Sequence, residues 1–256
     1  MTAQTLAELA EIQVGVSKEP CVPFANYPQN GIETCSCCRV ESVAGMEEHN
    51  FGKLGRKPIC PLCHASLHLD VCGLKNAGVM IWMPELSQAQ LNAMVTVIFA
   101  SITLAGKNVD PEVDRMKTLY RTFEGRIQQI EGLFGGRNPL FDGTSPLFLA
   151  QQIEQAQLAL ARAFKPKVIE GRLEGLRFLA HPKPFSAFIR GATTVMQRKF
   201  PRDKWNSLIP DTVGEHVPDP AAYAEHLALA QDAQEDGPQE PGEADMVAAY
   251  EDPYAG

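Results

Sequence analysis

Four cysteines in the pattern C-x2-C-x21-C-x2-C, at Cys35, Cys38, Cys60 and Cys63, constrain this chain more than any other feature. Two residues between cysteines let both sulfurs reach one ion at about 2.3 Å, and two such knuckles complete a tetrahedral shell. The spacing predicts one structural Zn2+ on these four ligands, in a module that folds because the ion is bound. Seven cysteines in all, an odd number, with no apolar leader in residues 1–20, point to metal rather than disulfides. An iron–sulfur cluster is the next choice. A redox CxxC fits less well, because no βαβ pattern surrounds it. Cys37 lies beside Cys38 and leaves open which of the two is a ligand. Cys21 and Cys72 flank the module and read as small buried side chains, with a second metal the alternative.

Cys60-Pro61-Leu62-Cys63 runs into HASLHL, a helical stretch, so the second knuckle falls at a helix N-terminus. Backbone N–H groups and the helix dipole there favour thiolates. Knuckle, hairpin, then a helix bearing the last two ligands is the treble-clef order. The fold expected is α+β and mostly helical. It comprises an N-terminal segment (1–34), a treble-clef zinc module (35–83), a helical region (84–230) and a disordered acidic tail (231–256).

Helix signals are strong after Pro84. Ser87-Gln88-Ala89-Gln90 forms a capping box and opens a helix to about Ala105, stopped by Gly106. Its apolar run, Ala93–Gly106, is shorter than the roughly 20 residues needed to span a bilayer and reads as a buried helix. Asp110-Pro111-Glu112 starts a second helix, with Val113, Met116, Tyr120, Phe123, Ile127, Ile130 and Leu133 on one face. Further helices are expected at 145–164, 167–179, 185–199 and 221–231, and a short amphipathic one within 1–20.

The net charge of −8 belongs to the tail. Gln231–Gly256 holds eight Asp and Glu and no Lys or Arg, and the other 23 acids match the 23 Lys and Arg. A neutral body lacks the basic excess of a nucleic-acid binder. Acid-rich, Pro- and Gly-interrupted sequence predicts a disordered tail. These readings together give a soluble cytoplasmic protein with no direct membrane insertion.

His49-Asn50 lies between the knuckles, His64 follows the second, and His68 is four residues further on. The order CxxC…HN…CxxCH resembles the HNH endonuclease family. In such an enzyme His49, Asn50 and His64, with His68 in reserve, would activate water and hold a divalent cation. Against cleavage stand the neutral body, the missing second His or Asp beside His49, and the short reach to Cys60. The histidines read instead as packing or surface groups, with metal-dependent DNA cleavage the alternative function.

Behind CPLCHASLHLD comes GVMIWMPELSQAQLNAMVTVIFASI (78–102). This Trp-Pro turn into PELSQAQLN resembles the IcmJ/DotN family of type IVB secretion and related conjugation systems, over about residues 30–105. The resemblance implies a non-enzymatic, zinc-containing subunit of a coupling complex. Such a subunit binds the coupling ATPase, helps hold the adaptor subunits that recruit substrates, and sits in the cytoplasm against the inner-membrane machinery. Apolar segments at 78–105 and 185–209 hold more large side chains than a small core needs. Trp82, Met83, Pro84, Leu86 and Trp205 are therefore the expected partner surface.

Overall fold

The computed structural model describes residues 9, 12, 14–17, 31–106, 111–133, 145–151, 175–201 and 204–205. Helices dominate, joined to three short two-stranded antiparallel sheets. In chain order the elements are β1 (Glu33–Thr34), β2 (Glu41–Ser42), β3 (Glu47–Asn50), β4 (Arg56–Ile59), α1 (Pro61–Leu67), α2 (Leu69–Leu74) and β5 (Gly78–Trp82). They continue with α3 (Gln88–Ala105), α4 (Pro111–Gly125), α5 (Ile127–Leu133), β6 (Leu176–Ala180) and α6 (Ser186–Lys199). β1 pairs with β2, β3 with β4, and β5 with β6.

The first sheet is the hairpin of the first cysteine knuckle. Cys35 N–H donates to Val40 O at 2.9 Å, and Arg39 N–H to Cys35 O at 3.1 Å. The turn closes with Arg39 in the left-handed region, at φ 63°. Ser36 N–H donates to Pro58 O at 2.8 Å and fixes this knuckle to β4. β4 then delivers the chain to Cys60, the N-cap of α1, with Pro61 at its first position, where the absent N–H has no helical partner to lose.

α1 ends at His68, whose backbone leaves helical geometry at φ −131° and ψ 61°. The strap at residues 15–17 explains the break. Gly15 N–H donates to Ser66 O, Ser17 N–H to Leu67 O and Leu69 N–H to Gly15 O, while Val16 bridges His68 in antiparallel fashion. Backbone groups that would continue the helix are used across the strap instead.

α3 is the central element and packs against α1, α4, α6 and β6. Its capping box is complete: Ser87 Oγ accepts from Gln90 N–H, and Gln90 Oε1 accepts from Ser87 N–H. Leu91, Val95, Ile98 and Ala100 are fully buried. Each of the three larger side chains contributes roughly 1.5–3 kcal/mol of burial. The helix is long and apolar enough to cross a membrane, but 61% of that stretch is covered by the chain itself.

Two expectations change. The second helix is not continuous but breaks at Arg126 between α4 and α5, and Arg126 is buried in an ion pair with Glu85. The helix expected at 167–179 does not extend through its end, because Leu176–Ala180 is strand β6. Partnership decides this: β6 pairs in register with β5, from Gly78↔Ala180 to Trp82↔Leu176. Met83 N–H to Gly175 O and His181 N–H to Ala77 O lengthen the ladder at both ends. β5 lies in the stretch read as zinc module and β6 in the stretch read as helical. Gly175 and Gly78 permit the close approach. A Cβ at 175 would overlap the Trp82 ring, and one at 78 the Leu179 carbonyl.

The chain divides into two compact units, Met1–Pro218 and Asp219–Gly256, and every described residue lies in the first. The expected acidic tail, the helix at 221–231, all of 152–174, most of 1–20 and Cys21 lie outside the described residues; of the helix expected within 1–20, residues 15–17 form the strap instead.

Candidate metal centre

β1–β2 and the start of α1 bring Cys35, Cys38, Cys60 and Cys63 together. All four are buried, and their sulfurs lie within 4.8 Å of one another. Cys38 Sγ and Cys60 Sγ are 3.6 Å apart. A tetrahedron with bonds of about 2.3 Å has an edge of about 3.8 Å, so this spacing suits one ion at the centre. Backbone donors face the sulfurs. Cys60 N–H donates to Cys35 Sγ at 3.2 Å, and Cys63 N–H to Cys60 Sγ at 3.4 Å. From α3, Asn92 Nδ2 donates to Cys63 Sγ at 3.3 Å.

The titration of the cluster agrees with a cation site. Burial opposes ionisation of Cys35, yet hydrogen bonds from Cys37, Cys38, Cys60 and Cys63 hold its thiol well below the ordinary range. Burial pushes Cys60 and Cys63 well above it, and interaction with Cys35 adds to the rise. Buried thiols this close oppose one another's ionisation. A dication relieves that conflict by supplying positive charge to all four sulfurs. These residues can hold a metal ion.

Cys37 is buried but outside this four-sulfur set. Its thiol is raised, first by its hydrogen bond with Cys35 and then, despite a lowering contact with Cys63, by burial. Cys72 is buried and donates from Sγ to Ala65 O at 3.1 Å, in keeping with a small packed side chain.

A second cluster lies beside the first. His49, His64 and His68 are all buried, and their candidate ligand nitrogens lie within 4.8 Å of one another. The ring centroids are 4.7–5.5 Å apart, with edge-on inclinations of 68–83°. Period-two alternation in β3 turns Glu47 and His49 inward and Glu48 and Asn50 outward. Glu47 Oε2 pairs with His64 Nδ1. Asn50, expected to join His49 and His64, instead accepts from Gly52 N–H at 3.1 Å on the exposed side. His68 takes the third corner.

The residues read as a partner surface lie elsewhere. Trp82, Met83, Leu86 and Trp205 are buried within this chain, and Pro84 is half-buried. Trp82 packs on Gly175, and Trp205 on Ala100 and Met196. The apolar excess is absorbed by the β5–β6 sheet and the α3–α6 contact, so these four side chains are core and not an exposed groove.

Sequence reasoning missed Glu47 and Asn92. The alternation of EEHN in a strand was a signal for Glu47. Asn92 had none, because its partner Cys63 is 29 residues away.

No family model matches the chain. It is similar to the type 4 apparatus protein DotN of Legionella pneumophila, 32% identical over 78 residues. That stretch is 30% of this chain and 35% of DotN, so the chain spans about a third of the relative's length.

Proposed function

We propose that this chain is a non-enzymatic, zinc-stabilised scaffold subunit of a type IV secretion or conjugation apparatus. It binds the coupling ATPase and helps hold the adaptors that recruit substrates. The observation that carries the reading is the similarity to DotN. The buried four-cysteine cluster is consistent with it, since a scaffold needs a folded module and no reactive centre.

The succession of first knuckle, β3–β4 hairpin and α1 with the second knuckle supports a treble-clef module, with Zn2+ as the ion. All-sulfur ligation of a closed tetrahedral site is the pattern of structural zinc. Cys35, Cys38, Cys60 and Cys63 would hold it, and it would supply folding energy without chemistry. The site of action is the cytoplasmic face of the inner-membrane complex, without membrane insertion. Nucleic acid is not the expected partner.

Co-purification of the full chain with the coupling ATPase of its own cell tests the reading. A complex that survives gel filtration at mild salt is expected, and absence of association overturns it. Incubation with supercoiled DNA in Mg2+ or Mn2+ tests the non-enzymatic part. Cleavage that His49→Ala abolishes would replace the scaffold with a nuclease.

A further inference from the structure

We propose that the end of α3, with α4 and the start of α6, forms a docking groove for an acidic segment of a partner protein that carries a pair of apolar anchor residues. Two hollows of about 230 and 270 Å³ adjoin there and share Thr103 and Pro182. The first opens between α3 and α4, the second between α3 and α6. No cysteine or histidine of the metal centre lines either one.

The floor is apolar. Phe99 and Tyr120 meet ring to ring at 5.1 Å, and Ile102 and Pro182 complete the first hollow. The Tyr120 hydroxyl donates to Ala180 O at 2.9 Å, so its polar end is used within the fold and its ring is held in place. Ile189 lines the second hollow. Each hollow is smaller than the roughly 300–1,000 Å³ of a small-molecule pocket. Each is of the size that seats one large side chain, the way a protein partner places its anchors.

The rim is basic. Lys117 and Arg121 stand one turn apart on α4 beside the first hollow, and Lys183 and Arg190 flank the second. All four are exposed. Lys117 reaches Asp114 at 3.4 Å, whereas Arg121, Lys183 and Arg190 have no acidic partner among the described residues. Glu124 is the single acid lining the two hollows. This is a local cationic excess on a body whose acids and bases otherwise balance. α6 adds to it: no side chain caps its N-terminus and no acid lies in its first turn, so the positive end of its dipole meets the second hollow at Ser186.

Shape and lining decide between anionic partners. Phosphates of a nucleic acid would use the cations and leave the apolar floor empty. A bilayer presents a flat plane of headgroups to a concave surface. A peptide segment with apolar residues among carboxylates uses floor and rim together. The groove is independent of the secretion reading, since any partner segment of this chemistry fits it.

The probes are fluorescein-labelled, glutamate-rich peptides, each with a pair of phenylalanines at varied separation, titrated with the full chain and followed by anisotropy. The tightest is compared with versions in which glutamine replaces glutamate or serine replaces phenylalanine. Each replacement should weaken binding by about tenfold or more. Arg121→Glu combined with Arg190→Glu should do the same with an unchanged circular dichroism spectrum. A benzophenone on the wild-type probe should label α3, α4 or α6 at the groove, a readout that stands even where the double variant fails to fold. Equal binding of the glutamate and glutamine peptides, or labelling elsewhere, overturns the groove. So does binding of duplex DNA or of phosphatidylglycerol vesicles that the same double variant abolishes, because the rim then serves another class of partner.

Discussion

Replacing Gln88 by leucine, a side chain of similar size, should be among the most damaging single changes outside the cysteines. Gln88 is fully buried, and its amide acts as a missing strand on the outer edge of β6. Its Nε2 donates to Phe178 O at 2.9 Å, and its Oε1 accepts from Phe178 N–H at 2.8 Å. Nε2 also donates to Asn92 Oδ1 at 3.0 Å. Gln88→Leu leaves three buried polar groups without this partner, at about 1–3 kcal/mol each. Partial relaxation and the added apolar surface offset some of it. The expected loss is about 3–6 kcal/mol, a large share of the 5–15 kcal/mol typical of a whole domain. Urea unfolding followed by tryptophan fluorescence measures it, since Trp82 and Trp205 are both buried. Gln90→Leu is the control: it removes only an exposed cap contact, at about 0.5–1 kcal/mol. Equal effects of the two, or a loss at Gln88 under about 1 kcal/mol, would refute the account.

Chelation should unfold the cysteine module, because binding energy at such a site is folding energy. A circular dichroism spectrum unchanged after complete metal removal would contradict this. Asn92→Leu deletes the amide donor to Cys63 Sγ and should weaken metal affinity about 10- to 100-fold, read by competition with a chromophoric chelator. Gly175→Ala drives a methyl into the buried Trp82 ring and should cost about 1–3 kcal/mol in denaturant melts. Arg39→Gly relieves a left-handed backbone that costs a non-glycine residue about 1–2 kcal/mol. Glycine's extra chain entropy returns about 0.5–1 kcal/mol of that, so the variant should melt slightly higher than wild type.

Local chemistry was legible in the sequence. The two knuckles, the capping box of α3, and the bounds of α3 and α6 all depend on residues within a turn of each other. Long-range partnership was not. Leu176–Ala180 shows no helix breaker and reads as the end of a helix until β5 is set beside it. Trp82, Met83 and Leu86 look like spare apolar surface only while β6 and Gly175 are unseen. In the histidine cluster, i,i+4 spacing ties His64 to His68, and strand alternation separates His49 from Asn50. Both are periodic signals, but choosing between them requires knowing that His49 lies on a strand.

The pairing of β5 with β6 also sets a timetable. Roughly 95 residues separate the two strands, and synthesis at about 5–20 residues per second delivers the second some 5–20 seconds after the first. The four cysteines, which could hold a metal ion, are all synthesised before that interval begins. Met80, Ile81 and Trp82 cannot complete their sheet until β6 emerges. A nascent chain therefore carries one open, sticky strand edge. Slow translation between the two strands should divert this protein towards chaperones or aggregates, even though nothing in the finished molecule changes.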